Sequence, residues 1–204
     1  MLNRFIMTLI FGTLEAKPIQ VDQCIIVSNH NSHLDIALLY SLFPIGKIKD
    51  LKVVAAKDYF EKGPLAAFAR YFFNVILIER KNMGHSDPLS PIKTALRDGY
   101  SIIIFPEGTR GEPGIVKRFK TGAARAAMNF PEIPVYPIVL YGTEKSLPRK
   151  SALPVPFSLR IRVYEPLYGR DYTHVTEGKG FQKFTQDLEN TILRSREAGV
   201  SKPE

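Results

Sequence analysis

The chain has 204 residues, enough for one domain with a sizeable core. With 45% hydrophobic and 24% charged residues it is neither disordered nor collagen-like. A net charge of +8 and a pI of about 9.5 favour anionic partners such as phospholipid headgroups, phosphorylated substrates, coenzyme A or nucleic acid. Charge alone does not choose among these, and a plain solvated surface is equally compatible with it.

In chain order, Leu2, Phe5, Ile6, Leu9 and Ile10 fall at the i, i+3, i+4, i+7, i+8 spacing of an amphipathic helix. Over the first 14 residues such a helix would be roughly 21 Å long, against the ~20 apolar residues that a bilayer span requires. It is expected to lie in a membrane interface or to cap the core. Cys24–Ser28 reads as a buried strand. Its cysteine is the only one, so no intrachain disulfide can form, and a core thiol is expected rather than a nucleophile. No CxxC or Cys/His cluster suggests zinc.

Further strands are predicted at Lys52–Ala56, Val75–Glu79, Ser101–Phe105, Val135–Tyr141 and Ser158–Tyr164. Cys24–Ser28 and the first three of these runs are apolar enough to be buried on both faces. Helical patterns lie between them. Pro64 would open a helix burying Leu65, Phe68, Ala69 and Phe72. Asp87-Pro88 looks like an N-cap followed by proline at the first helical position, in a helix that buries Leu89, Ile92 and Leu96 and stops at Gly99. Thr121 to Phe130 is alanine-rich and helical. Phe181, Phe184, Leu188 and Ile192 form a last helical stripe. This alternation predicts an α/β layered single domain with a mostly parallel or mixed sheet flanked by helices. Ligands of such sheets gather beyond the carboxyl ends of strands, and the polar blocks fall there.

The first block is Ser28-Asn29-His30-Asn31-Ser32-His33-Leu34-Asp35, before the helical run Ile36–Leu42. A carboxylate at Asp35 could hold one imidazole nitrogen of His30 while the other faces a substrate, a good general base near neutral pH. Ser32-x-x-Asp35 also fits a capping box, and on spacing alone that blander role is favoured; both can coexist. His33 reads as a surface residue. The second block delivers Glu79 and Arg80 to a strand end, where arginine suits phosphate, or forms a solvated basic turn with Lys81. The third, Phe105-Pro106-Glu107-Gly108-Thr109-Arg110, follows a strand directly. Glu107 could accept from a glycerol hydroxyl and Arg110 could bind phosphate, or the two could form a structural salt bridge. Lys120, at the start of the alanine-rich helix, would favour an anion. The fourth block, Ile133 to Leu140, reads as an edge strand or pocket wall carrying two prolines.

Together and in this order, these blocks resemble the glycerolipid acyltransferase family, specifically the 1-acylglycerol-3-phosphate acyltransferases. That family shows an NHxSxxD block, a strand ending in arginine, an FPEGTR block and a proline-containing apolar strand. The resemblance covers roughly Ile25 to Tyr141, and the first and third blocks are highly specific when they occur together. It implies a glycerol-3-phosphate acyltransferase-like fold. Residues 1–20 would form a membrane-contacting helix and residues 21–204 the catalytic domain. His30 would be the catalytic base and Asp35 its orienting partner. Arg80, Glu107, Gly108, Thr109 and Arg110 would bind the glycerol phosphate, with Lys57 and Lys120 as further candidates. The acceptor hydroxyl of a lysophospholipid would attack the thioester of acyl-CoA or acyl carrier protein, with no acyl-enzyme, no cofactor beyond these co-substrates and no metal. Lysophosphatidate is the first choice of acceptor, and another lysophospholipid or a lyso-ornithine-type lipid the second. Three departures stand out: Asn74 where the family often has glycine, Gly111 where serine commonly follows, and only 29 residues before His30. Peripheral attachment to the cytoplasmic face of a membrane with anionic lipids is expected. The N-terminal helix and a basic stretch of Lys145, Arg149, Lys150, Arg160, Arg162 and Arg170 would supply it. Two competitors are a catalytically silent lipid- or phosphate-binding module and a nucleic-acid binder. The retained His30 and Asp35 speak against the first. The lack of any helix-turn-helix, zinc finger or aromatic-basic motif speaks against the second, so no nucleic-acid partner is expected.

Overall fold

Alternating extended and helical periodicities become one six-stranded sheet with helices on both faces. The structure, a computed structural model, describes residues 16, 18–32, 34–57, 74–79, 87–108, 117–143, 159–175 and 179–200. The elements are β1 (Ile25–Ser28), α1 (Leu34–Tyr40), a 3-10 turn (Ile45–Asp50), β2 (Leu51–Ala56), β3 (Val75–Ile78), α2 (Ser90–Arg97), β4 (Ser101–Ile104), α3 (Gly122–Asn129), β5 (Val135–Tyr141), β6 (Arg160–Val163), a second 3-10 turn (Gly169–Tyr172) and α4 (Gly180–Val200). The helices expected over the first 14 residues and after Pro64 lie outside the described residues.

The strand order is β3-β2-β4-β1-β5-β6, with β1 to β5 parallel and β6 antiparallel to β5. The expected mixed sheet flanked by helices is therefore what forms. β1 and β4 are central and buried along their whole length, as their unbroken apolar runs require. β2 and β3 lie toward one edge and are only partly buried, so full burial of all four runs does not hold.

Alternate side chains divide the core in two. On one face, Ile26, Val53, Ile103, Ile138 and Leu140 pack with Leu38, Leu39 and Leu42 of α1 and the turn after it. On the other, Ile25, Val27, Ile102, Ile104 and Val139 pack with Ile92 and Leu96 of α2, the alanines of α3, and Phe184, Leu188 and Ile192 of α4. β1 therefore leads over one face through α1 toward β2. Its neighbour β4 leads over the opposite face through α3 toward β5. At their carboxyl ends these connections part to opposite faces of the sheet, the switch point where open α/β sheets form a ligand crevice.

Two local expectations need correction. β5 is an interior strand, not an edge. Its Pro137 is tolerated because the missing N–H would face β6 just past that strand's last pair, Ile138 with Val163, while its carbonyl accepts the Tyr164 N–H at 3.0 Å. The helix expected from Pro88 starts at Ser90. Asp87 instead closes a turn ahead of it, accepting from Leu89 N through its side chain (3.0 Å) and from Ser90 N through its carbonyl (2.9 Å).

The second helical face is fastened by polar ties from long side chains. Tyr141 of β5 donates to the Ser195 carbonyl of α4 at 2.8 Å, and Tyr172 donates to Asp187 at 3.0 Å. The turn holding Tyr172 lies so close to α3 that a Cβ on Gly169 would sit 2.2 Å from the Ala127 carbonyl oxygen. Gly169→Ala must push two backbones apart and is expected to cost about 1–3 kcal/mol. Urea unfolding checks this. An unchanged midpoint would mean that α3 and the turn are not rigidly opposed.

Candidate active site

At the end of β1 the main chain leaves the sheet while still inside the protein. Asn29, wholly buried, takes over the ladder with its side chain. Its Oδ1 accepts from Leu140 N (2.9 Å) and its Nδ2 donates to Leu140 O (3.0 Å), the next main-chain pair that β5 presents toward β1. His30 comes next. Its ring stacks on Phe105, the residue after β4, at 4.0 Å between centroids and 20° between planes. Its Nδ1 lies 2.8 Å from Asp35 Oδ2.

That oxygen also accepts from Asn31 N at 2.7 Å and Ser32 N at 2.8 Å. One carboxylate oxygen thus gathers the turn before α1 and the imidazole together, as charge-assisted bonds do well. Ser32 Oγ accepts from Leu34 N and Ser32 O from Asp35 N, both at 3.3 Å, so helix-start capping and imidazole orientation coexist. Asp35 is 0% exposed, whereas the His30 side chain keeps 19% of its surface. A base that is partly open and a partner that is sealed make a directional pair. With Nδ1 turned to Asp35, Nε2 lies on the edge of the ring away from that carboxylate.

Glu107, in the turn after β4, is 4% exposed. Its Oε1 accepts from His30 N and its Oε2 from Lys117 N, both at 3.1 Å. Gly108 has φ +72°, and the Lys120 side chain runs over it: an added Cβ would meet Nζ at 2.9 Å. Lys57, beyond β2, pairs with Glu79, beyond β3, at 2.8 Å; both side chains are about half exposed. The hydrogen bond and charge of Lys57 hold the Glu79 carboxyl below its ordinary range. Arg80, Thr109, Arg110 and His33 lie outside the described residues. The carboxyl edge of the sheet therefore assembles His30, Asp35, Glu107, Gly108 and Lys120, with the Lys57–Glu79 pair beyond the neighbouring strands. Sequence reasoning left Asn29 and Phe105 without roles. A polar amide straight after a buried strand was the available signal, because buried amides need partners.

Cys24 is buried at the start of β1, and burial pushes its thiol up to about 12, opposed only in part by a hydrogen bond from Ser101. It is no nucleophile. Among the described residues no group of three His, Cys, Asp or Glu side chains could hold a metal ion.

The family model described as "Acyltransferase" matches residues 14–141, more than half of the chain. The chain belongs to the acyltransferase family. It is 32% identical over 158 residues to a chloroplastic 1-acyl-sn-glycerol-3-phosphate acyltransferase of Brassica napus, covering 76% of this chain and 44% of that protein. The corresponding chloroplastic protein of Arabidopsis thaliana is also 32% identical over 158 residues, covering 76% and 42%. The alpha form from Mus musculus is 30% identical over 146 residues, covering 70% and 49%. The chain thus spans half or less of the length of these relatives. In structure it resembles PlsC, the 1-acyl-sn-glycerophosphate acyltransferase of Thermotoga maritima, with a TM-score of 0.70 at 21% identity, covering 96% of this chain and 73% of that one. At that identity the likeness establishes a shared fold.

For this family member, Asp35 offers a direct check of the geometry. Asp35→Ala strands two main-chain N–H groups in a buried turn, at about 1–3 kcal/mol per unsatisfied group, and removes the partner of the imidazole. Asp35→Asn keeps an oxygen for them but puts an amide where Oδ1 has no partner. Thermal melts should rank wild type above Asn and Asn above Ala. Equal stability of all three would contradict the bonding described.

Proposed function

We propose that the protein transfers a fatty acyl group from acyl-CoA or acyl carrier protein to the free hydroxyl of 1-acyl-sn-glycerol-3-phosphate, forming phosphatidic acid. The His30–Asp35 pair in the crevice between β1 and β4 carries this reading. The names of the relatives support the choice of acceptor.

In the proposed reaction His30 Nε2 removes the proton as the acceptor oxygen attacks the thioester carbonyl. Asp35 stabilises the imidazolium that forms. The tetrahedral intermediate collapses, the carbon–sulfur bond breaks, and the thiolate leaves with the proton from His30. Direct transfer suits a chain whose sole thiol is sealed in the core. Lys120 beside Gly108, together with Arg80, Thr109 and Arg110, would hold the glycerol phosphate, and Lys57 would exchange Glu79 for a phosphate oxygen. A half-exposed ion pair is weak enough to be exchanged in this way.

The deciding assay offers one acyl-CoA to a panel of lyso-acceptors and reads products by mass spectrometry. Phosphatidic acid should dominate, and His30→Ala should lower turnover by ~10²–10⁴ while leaving the fold intact. Preference for a lyso-ornithine lipid or another lysophospholipid would move the acceptor assignment. Near-normal turnover in His30→Ala would remove the base.

An acceptor that resides in a bilayer requires the crevice to reach a membrane surface. Among the described residues, no helix is long and apolar enough to cross one. Arg160 and Arg162 lie exposed on one face of β6, and Arg160 packs its guanidinium 5.6 Å from the Tyr141 ring centroid. Arg170 is paired with Glu132, a counter-charge remote in sequence. Lys145, Arg149 and Lys150 lie outside the described residues. Peripheral attachment is proposed, with each basic residue near an anionic leaflet worth ~1 kcal/mol. Liposome co-sedimentation should show binding to anionic vesicles that weakens as salt rises and weakens further for the double change Arg160→Ala, Arg162→Ala. Equal pelleting with neutral and anionic vesicles at every salt concentration would refute an electrostatic contribution.

A further inference from the structure

A general base on a loop works only if its main chain is held, because a displacement of one ångström can cost ~10²-fold in rate. His30 lies past the last paired residue of β1, so the ladder itself does not hold it. The bonds that do hold it come from the strands on either side. We propose that Asn29 and Glu107 are positioning residues for His30, suspending its main chain between β5 and β4, and that Glu107 acts through this main chain rather than as a ligand of the acceptor.

Toward β5, the Asn29 amide matches both polar groups of Leu140, one with its oxygen and one with its nitrogen. Only a side chain carrying a donor and an acceptor in one plane does this. Aspartate lacks the donor, and leucine lacks both. Toward β4, Glu107 Oε1 receives the His30 N–H, and Phe105 from the same turn supports the ring. The peptide unit joining Asn29 to His30 is therefore referenced to two adjacent strands at once. Glu107 is almost fully buried, and its second oxygen is directed to Lys117 N, three residues before Lys120. One carboxylate thus also links the base to the segment that carries Lys120 past Gly108. Its two oxygens point at main-chain donors on opposite sides, an arrangement that suits a brace.

Asp35 fixes the rotation of the imidazole, while Asn29 and Glu107 fix where its backbone stands. These are separable tasks. Loss of the second should lower catalysis without altering acceptor affinity.

The test uses the full chain and the near-isosteric changes Asn29→Asp and Glu107→Gln. The first places a carboxylate oxygen against the Leu140 carbonyl. The second places an amide nitrogen against a main-chain N–H. Two measurements are made under conditions where circular dichroism shows native helix content. One is steady-state kinetics with lysophosphatidate and acyl-CoA, an arm that rests on the function proposed above. The other is the imidazole nitrogen and proton resonances of His30, assigned against His30→Ala, which need no substrate. Each variant should lose about 10²-fold in kcat. Acceptor KM should stay within roughly twofold, and the His30 resonances should shift. A more than about tenfold rise in acceptor KM at near-normal kcat for Glu107→Gln would make it an acceptor ligand and overturn the proposal. Unshifted His30 resonances in either variant would overturn it for that residue. A wild-type chain inactive on every acceptor would count against the proposed function alone, because the resonances still decide the positioning.

Discussion

Where β1 stops pairing, the chain is still buried, and each main-chain polar group from Asn29 to Ser32 must find a partner without help from bulk water. Asn29, Asn31 and Ser32 are all buried. Each N–H left unpaired there would cost about 1–3 kcal/mol. Two side chains answer for the N–H groups, Asp35 collecting those of Asn31 and Ser32 and Glu107 taking that of His30, while the Asn29 side chain completes the Leu140 pair of β5. The bonds that satisfy the backbone are the same bonds that aim the imidazole. Stability and site geometry are coupled here, and the turn cannot relax without moving His30.

That coupling depends on the order of strands. Glu107 reaches His30 because β4 lies beside β1, and Asn29 reaches Leu140 because β5 lies on the other side. Among the described residues, the helices cover opposite faces, α1 on one and α2, α3 and α4 on the other. The place of the crevice follows from the topology, at the carboxyl ends of the two fully buried central strands.

The charged groups behave differently inside and outside this edge. Asp35 and Glu107 are sealed and bonded to main-chain donors. The pairs Lys57–Glu79 and Arg170–Glu132 lie at the surface, where solvent screens them and their contribution to stability is small. Rearranging such pairs is cheap. The sealed carboxylates cannot do so without unfolding the turn.

Much of this was legible in the sequence because the signals were local. Apolar runs of strand length, separated by helical stripes, specify buried strands and amphipathic helices by periodicity alone. The NHxSxxD and FPEGTR blocks mark strand ends by their abrupt change to polar and glycine or proline residues. His30 and Asp35 are five positions apart, so one turn of chain suffices to join them. The interior place of β5 was not legible. Prolines argue for an edge, and only the ladder shows the missing N–H facing the end of β6. The Glu132 partner of Arg170 and the Lys57–Glu79 pair were not legible either, since their separations of 38 and 22 residues are bridged only by folding. The same holds for the support of the base: Leu140 lies 111 residues from Asn29, and Glu107 lies 77 from His30. Sequence alone determined which residues could do the chemistry, through residue type and short-range spacing. The tertiary structure decided what holds them, because hydrogen bonds between strand ends exist only once strand order and register are set.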